Sequence, residues 1–149
     1  MNVKNIACLA IVLLAWSWNA FAGDTIRRDC HETFPVGPGA GLRIRNGDGD
    51  VTIRAWDRSE IEITVRYRAE HHSIGVGDDD RRFRIEFHHD GNEVEAIEKR
   101  RREGFFGLRA VRIHEYVWEI NAPADTRLFI DGDDGNLDIE DWRGRIDIA

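Results

Sequence analysis

The sequence predicts an all-β protein built from short strands, and three observations support that prediction. Apolar and polar residues alternate along most of the chain after residue 22, as at Ile61, Ile63 and Val65, and a period of two is typical of half-buried strands. No window of about a dozen residues shows the apolar stripe at i, i+3, i+4 and i+7 that marks an amphipathic helix. The alternating segments are also rich in Ile, Val, Phe, Tyr and Thr, which favour strands.

Length and charge limit the classes of protein to which this chain can belong. The chain has 149 residues, of which 42% are hydrophobic and 33% are charged, and its formal net charge is −7. This length suits one domain with a hydrophobic core. The acidic balance argues against binding to nucleic acid. Only three prolines occur and charges of both signs are interspersed, which indicates a folded domain and not a disordered linker.

The first 22 residues have the features of a signal peptide. Lys4 precedes an apolar run at 6–18, and small residues at Ala20 and Ala22 suit a cleavage site before Gly23. The run is shorter than the ~20 residues that a membrane-spanning helix needs, and no second apolar stretch follows it. We therefore expect an exported protein, in the periplasm or on the surface of a bacterium, with no transmembrane segment after cleavage.

After cleavage, the mature chain would consist of an N-terminal extension at 23–33 and a β domain at 34–149. It also removes Cys8 and leaves Cys30 as the remaining cysteine. A lone cysteine in an oxidising compartment cannot form an internal disulfide. Cys30 is then either an intermolecular bridge or ligand, or a thiol without a role, and we favour the second because metal sites need three or four convergent ligands.

The alternation places the strands in order along the chain. A hairpin is predicted at 89–92 and a loop at 104–107, because both segments contain glycine between alternating runs. The apolar parity changes between Ile113 and Tyr116, and a β-bulge near His114 and Glu115 would keep both sets on the core side. The predicted strands lie around Leu42–Ile44, Val51–Ile53, Ile61–Tyr67, Phe83–Phe87, Val111–Ile113 and Tyr116–Ile120.

Near the C-terminus, apolar residues recur with a period of nine. The two series are Leu128, Leu137 and Ile146, and Ile130, Ile139 and Ile148. An earlier copy matches this region at an offset of 86, in the pairs Leu42/Leu128, Ile44/Ile130, Asp48/Asp134, Gly49/Gly135, Ile53/Ile139 and Trp56/Trp142. A short strand plus a tight turn repeated in this way forms hairpins or a stack. We predict β-solenoid or β-roll-like repeats around an antiparallel meander at 61–120.

The order of these motifs resembles the bacterial "putative adhesin" family. The motifs are Phe34-Pro35-Val36, then Asn46-Gly47-Asp48-Gly49-Asp50-Val51, and later Gly135-Asn136-Leu137 and Gly144-Arg145-Ile146. The resemblance covers 34–149 and implies an exported β-solenoid-like domain with no established catalysis and no catalytic residues to carry over. Family members usually continue through further units, whereas this chain stops at Ala149 inside a strand-like unit. We expect either a fragment, truncated at the C-terminus, or a last unit that pairs with another chain.

A basic and aromatic loop at 99–109 is the first candidate binding site. Its cations and aromatic rings would suit an envelope glycan, an anionic lipid surface or a protein partner. The alternative is a structural hairpin whose phenylalanines fold back on the core. The candidate residues are Arg100, Arg101, Arg102, Phe105 and Phe106.

Acidic turns suggest a calcium site, because Ca²⁺ prefers carboxylate and carbonyl oxygens. The residues are Asp48, Asp50, Asp131, Asp133 and Asp134. Their spacing does not match the calcium-binding loops with known signatures, and tight turns need Asp and Gly for conformational reasons alone. We therefore assign no cofactor and keep calcium as an alternative.

Three functions follow from these patterns. The leading one is a non-enzymatic envelope or surface module that acts in self-association or adhesion through its C-terminal edge at 145–149. The second is a glycan- or anionic-surface-binding domain that uses the loop at 99–109. The third is a polysaccharide-active enzyme with paired carboxylates among Asp138, Glu140 and Asp141, which we rank last because no catalytic motif is present.

Overall fold

A computed structural model describes residues 24–76, 84–99 and 106–149. These residues form an all-β fold of ten strands in two mixed five-stranded sheets, with no helix among them. The prediction of the fold class is confirmed at this level. The predicted signal peptide at 1–22 lies outside the described residues. No helix in the described ranges is long and apolar enough to cross a membrane.

The chain passes back and forth between the two sheets, and each sheet holds five strands. Their bounds are β1 Asp24–Pro35, β2 Gly41–Asn46, β3 Asp50–Trp56, β4 Glu60–Val76, β5 Arg84–Asp90, β6 Glu93–Lys99, β7 Phe106–Pro123, β8 Arg127–Gly132, β9 Leu137–Glu140 and β10 Ile146–Ile148. The first sheet has the order β1-β4-β7-β3-β9, and the second has the order β10-β8-β2-β6-β5. The later strands therefore lie at one edge of each sheet.

The offset of 86 in the sequence is the register of parallel neighbours. Ile44 lies beside Ile130 where β2 pairs with β8, and Ile53 lies beside Ile139 where β3 pairs with β9. β10 continues the same pattern, since Ile148 lies beside Ile130 after two further nine-residue steps. Residues of the same type thus stack on the same face of neighbouring strands, where β-branched side chains pack well.

The middle of the chain is antiparallel. β4 pairs with β1 on one side and with β7 on the other, and β5 pairs with β6. The turn between β5 and β6 contains Gly91 at φ 57°, a left-handed conformation that glycine adopts without a steric penalty. The hairpin predicted at 89–92 is confirmed.

A β-bulge lies in β7 where the sequence predicts it. Arg68 pairs with Glu115 and Ala69 pairs with Ile113, so His114 is the extra residue. The bulge is confirmed, but the expectation that both apolar sets reach the core is wrong at Ile113, whose surface is 45% exposed. β4 and β7 have 17 and 18 residues, whereas β6 in the second sheet has 7. The long strands therefore extend beyond the sheet that would cover them.

One hydrophobic cluster joins the two sheets. Trp118 in β7 is its largest fully buried side chain, and burial of a large apolar side chain contributes roughly 1.5 to 3 kcal/mol. The cluster also contains Val36, Ala40, Leu42, Ile44, Val51, Ile53, Ile61, Ile63, Val65, Ile85, Val94, Ala96, Tyr116, Ile120, Ala122, Leu128 and Ile130. The two sheets thus form a sandwich around a continuous core.

Residues 24–33 of the predicted N-terminal extension belong to β1. This strand pairs with β4 along its whole length, from Asp24 beside His71 to Pro35 beside Glu60. Cys30 lies in β1 beside Val65 and is a free, half-buried thiol. Burial and the neighbouring carboxylate of Glu32 raise the pKa of Cys30. The thiol form is therefore favoured over the reactive thiolate.

Candidate interaction surface

The two ends of the sandwich are built differently. At one end, here called the closed end, lie the edge strands β1 and β5. The ring of Phe34 from β1 lies 5.8 Å from the ring of Phe87 from β5, and both side chains pack against the core. An aromatic contact of this kind stabilises a fold beyond the apolar area that it buries. The contact connects β1, an edge strand of the first sheet, with β5, an edge strand of the second.

At the other end, here called the open end, lie the edge strands β9 and β10. A cavity of about 130 Å³ opens between them, and its lining includes Val51, Ile130, Leu137 and Ile148. Leu137 is 38% exposed, Ile146 is 40% exposed and Ile148 is 65% exposed. These side chains continue the buried apolar rows of the neighbouring strands, but no strand lies beyond them in the part of the chain that the structure describes.

The backbone of β10 also has a free side. The N–H of Leu128 donates to the carbonyl of Arg145 at 2.8 Å, and the N–H of Ala149 donates to the carbonyl of Ile130 at 3.0 Å. Successive residues of a strand direct their backbone groups to opposite sides. The N–H and C=O groups of Ile146 and Ile148 therefore point away from β8, toward the open edge. An edge of this kind is a template for a further strand.

Arg145, just before β10, and Asp147 in β10 lie on the outer face of the sheet. Arg145 donates to the carboxylate of Asp147, with Nε and Oδ2 2.8 Å apart. This hydrogen bond and the charge of Asp147 raise the pKa of Arg145. The two side chains balance each other's charge, so the edge carries no net charge from this pair that would repel another strand.

Specific contacts hold the last turn in place before β10. Trp142 donates its indole N–H to the carbonyl of Thr126 at 3.0 Å. Gly144 lies so close to the backbone of Thr126 that a Cβ at this position would collide with its carbonyl. Trp56, the match to Trp142 in the earlier copy, donates likewise to the carbonyl of Glu60 at 2.8 Å. The two tryptophans thus use different acceptors: Trp56 bonds a residue that follows it, and Trp142 bonds a residue that precedes β8.

Most of the predicted basic and aromatic loop lies outside the described residues. This holds for Arg100, Arg101, Arg102 and Phe105. Phe106 is the first residue of β7, and its backbone pairs with Val76. At the start of the predicted loop, Lys99 lies 3.7 Å from the carboxylate of Glu86. The binding role of this loop stays a prediction.

The acidic residues predicted as calcium ligands have different surroundings in the structure. Asp131 forms an ion pair with Arg45 at 3.2 Å. Asp50 accepts hydrogen bonds from the N–H and the side-chain amide of Asn136 at 2.9 and 3.0 Å. Asp48 is exposed and also has an interaction partner, while Asp133 and Asp134 line the cavity of the open end. Within the described ranges, no group of three or more His, Cys, Asp or Glu residues is arranged to hold a metal ion.

Among the carboxylates considered for catalysis, Glu140 is engaged by Arg54, with Oε2 and Nε 3.0 Å apart. Asp138 and Asp141 are exposed at the same edge.

The sequence analysis predicted an edge at 145–149, but it did not predict that Leu137 also lies at this edge or that a cavity opens there. The signal was present, because Leu137 belongs to the nine-residue series. The contact between Phe34 and Phe87 had no sequence signal, since it joins strands that are distant along the chain.

No family model matches the sequence, and no curated protein matches it. Solved structures do resemble the chain. One is described as a "putative cell adhesion protein" from Clostridium sporogenes, with 14% identity and a TM-score of 0.48 over 81% of this chain and 57% of that chain. Another is a "putative adhesin" from Parabacteroides merdae, with 12% identity and a TM-score of 0.35 over 74% of this chain and 39% of that chain.

A third structure is described as a "putative lipid binding protein" from Parabacteroides distasonis. It shares 11% identity, with a TM-score of 0.36, over 70% of this chain and 39% of that chain. The chain thus spans 57% of the first of these proteins and 39% of the other two. The predicted resemblance to adhesin-like proteins is confirmed as a resemblance, and at 11–14% identity it assigns no ligand or partner to this chain.

Proposed function

We propose that the protein is an exported, non-enzymatic surface module that self-associates through the open end of its sandwich. The observation that carries the proposal is the exposure of Leu137, Ile146 and Ile148 on the free edge strands of both sheets, around a cavity of about 130 Å³. An apolar edge whose backbone groups are not paired within the protein is a template for association with another strand. A second copy would satisfy those groups and cover the three side chains.

The stacked strands support a solenoid-like reading of this region, which is part of the proposal. β2 and β3 form one unit, β8 and β9 stack on them in parallel, and β10 begins the next unit. Each unit of a repeat stack buries its apolar residues against its neighbours. β10 is thus covered on one side by β8 and uncovered on the other.

Export and the absence of catalysis rest on the sequence. A signal peptide at 1–22 would deliver the protein to the periplasm or to the cell surface. The sequence contains no motif of the known catalytic types.

The test is the mass of the purified protein in solution, measured by light scattering over a range of concentrations, with calcium and with a chelator. We expect a concentration-dependent dimer under both conditions. The variant with Ile146→Lys and Ile148→Lys should be a monomer, because two charges would be buried in the interface. Ile113→Lys is the matched control, since Ile113 is similarly exposed but lies on β7, and it should leave the dimer intact.

Three results would overturn the proposal. They are a monomer at every concentration, a dimer that survives both lysines, and a dimer that the control also abolishes. A dimer that forms only with calcium would indicate that the acidic turns at 131–134, and not the apolar edge, are responsible for self-association.

A further inference from the structure

We infer that the outer face of the second sheet binds an acidic polysaccharide, one whose sugars carry carboxylates, in a groove centred on Arg43. The groove has a volume of about 320 Å³, and sites for small ligands range from about 300 to 1,000 Å³. Its charged and aromatic side chains are Arg43, Glu93, Arg127, Phe129, Arg145 and Asp147. The inference does not depend on self-association, because these side chains project from the face that points away from the core.

Arg43 projects from this outer face and lies on an aromatic ring. Leu42 and Ile44 are buried in the core, so the alternation of β2 directs Arg43 outward. Phe129 of β8 lies directly beside Arg43, and the guanidinium carbon is 4.2 Å from the centre of its ring. A cation is attracted to the face of an aromatic ring. This contact therefore holds the guanidinium of Arg43 toward β8, within the groove.

Gly41 forms part of the floor of the groove. On the outer face it lies between Glu93 of β6 and Arg127 of β8. A Cβ at position 41 would collide with the carboxylate of Glu93. Because glycine has no Cβ, the side chain of Glu93 lies across β2 and accepts a hydrogen bond from Arg127. A carboxylate and a guanidinium thus occupy the space that a side chain at position 41 would fill.

Arg43 differs from other outward-facing arginines in how its guanidinium is held. Its Nε lies 3.9 Å from the carboxylate of Glu95, which is beyond hydrogen-bond distance. On the outer face of the first sheet, Arg54 and Arg66 instead donate to carboxylates at 2.8 to 3.0 Å. A guanidinium that is fixed on a ring and is not hydrogen-bonded to a carboxylate nearby can donate to both oxygens of an incoming carboxylate.

Two further arginines add positive charge to the groove. Arg145 lies next to Arg127 on the neighbouring strand, since the residues that follow them are paired. Like charges side by side destabilise a sheet, and a bound anion would offset this repulsion. Arg145 directs Nε and Nη2 to Asp147, and Arg127 directs Nη2 to Glu93. A guanidinium has five N–H donors, so neither pair uses all of them.

The combination of groups favours an acidic polysaccharide over other anions. The guanidinium groups match the carboxylates of such a chain, while the carboxylates of Glu93 and Asp147 can accept hydrogen bonds from its hydroxyl groups. A simple anion would meet the same two carboxylates and be repelled by them. A lipid surface is less suited, because the exposed large apolar side chains of the described ranges, Ile113, Leu137, Ile146 and Ile148, do not project from this face.

Calorimetric titration of the purified protein tests the ligand class. The probe is oligogalacturonate, a chain of carboxylated sugars, and the control is its methyl ester, in which the carboxylates are neutral. We expect binding of the first and not of the second, and weaker binding as the salt concentration rises, because salt screens exposed charges. Inorganic phosphate and vesicles of anionic lipid are titrated in the same way and should bind more weakly than oligogalacturonate.

Variants test the position of the site. Arg43→Gln should weaken the binding of oligogalacturonate by at least about tenfold, because it removes the charged donors of the hydrogen bonds. Phe129→Leu removes the ring that positions Arg43 and should weaken binding several-fold. Arg54→Gln is the matched control, since it removes the same charge from the outer face of the first sheet, and it should change the affinity by less than about twofold. Urea unfolding checks that each variant folds.

Several results would overturn this inference. They are no binding of oligogalacturonate at millimolar concentrations, equal binding of its methyl ester, and equal losses of affinity in Arg43→Gln and Arg54→Gln. Binding of phosphate or of anionic vesicles as tightly as oligogalacturonate would contradict the assignment to a polysaccharide. The proposed self-association is tested separately, by the mass in solution and by substitutions on the inner face of β10, so either proposal can fail while the other stands.

Discussion

The closed and open ends of the sandwich differ in how the hydrophobic core is covered at the edge strands. Each sheet must end in an edge strand, and the core between the sheets must be covered there. At the closed end, Phe34 and Phe87 reach across from β1 and β5 and meet at 5.8 Å. At the open end, Leu137 and Ile148 flank a cavity of about 130 Å³ and do not close it.

The difference follows from how each end is built. The strands of the closed end come from the antiparallel part of the chain, where β1 and β5 carry individual sequences with an aromatic residue at the contact. The open end belongs to the parallel stack, whose units repeat. A unit in such a stack has the same inner surface as its predecessor and is covered only by a following unit. Repetition therefore extends the core by one unit at a time, and within the described residues the outer side of β9 and β10 is uncovered.

The largest expected change in the free energy of unfolding concerns three isoleucines that are stacked on neighbouring strands. Ile44 is fully buried, Ile130 is 3% exposed and Ile148 is 65% exposed, although they occupy equivalent positions on β2, β8 and β10. Ile44→Ala and Ile130→Ala should each lower the free energy of unfolding by about 2 to 5 kcal/mol. Ile148→Ala should change it by less than about 0.5 kcal/mol. Urea unfolding at low protein concentration measures all three.

Equal losses at Ile44 and Ile148 would contradict the comparison, because they would mean that the open end is covered within one chain. Repeating the measurement at high concentration separates burial within one chain from burial in a dimer.

The next effect concerns the contact that bridges the closed end. Phe34→Ala should lower the free energy of unfolding by about 1 to 3 kcal/mol, since it removes a partly buried ring and its contact with Phe87. Thr33→Ala changes the adjacent exposed residue and should cost less than about 0.5 kcal/mol. The variant should also expose a second apolar end, detected as increased binding of a hydrophobic dye. Unchanged stability and dye binding would show that the aromatic contact does not close this end.

The smallest effect concerns charges on the outer face of the first sheet. Arg66 donates to both carboxylate oxygens of Glu119, at 2.8 and 2.9 Å, and this contact lowers the pKa of Glu119. A carboxyl with a lowered pKa stabilises the fold above its unfolded-state pKa, and the contribution is lost as the pH falls through the folded-state value. Because the side chain of Glu119 is 42% exposed and solvent weakens the ion pair, the effect should be below about 1 kcal/mol.

Urea unfolding at neutral and acidic pH tests this effect with Glu119→Gln. The variant should be less stable than the original protein at neutral pH, and the difference should vanish in acid. Glu140→Gln is the control near the open end, where Arg54 makes a single contact with Glu140, and it should lower the stability at neutral pH by a smaller amount. A difference for Glu119→Gln that grows in acid would have the wrong sign and would contradict the role of Arg66.

The pairing of 24–33 as part of β1 was not predicted. Most of the other strands, the hairpin at 89–92 and the bulge at His114 could be predicted from the sequence alone. These features follow from local rules, since alternation, turn glycines and parity changes each act within a few residues. The offset of 86 indicated that two regions share one apolar pattern, but it left hairpins and a stack open. The structure shows that the two copies pair with each other, as Ile53 and Ile139 do.

Which end of each sheet is covered depends on the packing of the strands in three dimensions. The strand order sets β1 and β5 at one end and β9 and β10 at the other, and that order arises from the packing of both sheets on one core. The exposure of Ile113 also depends on it, because β7 extends past the shorter strands opposite. Burial is a property of neighbours in space, and a period of two shows which residues share a face but not whether anything lies against it.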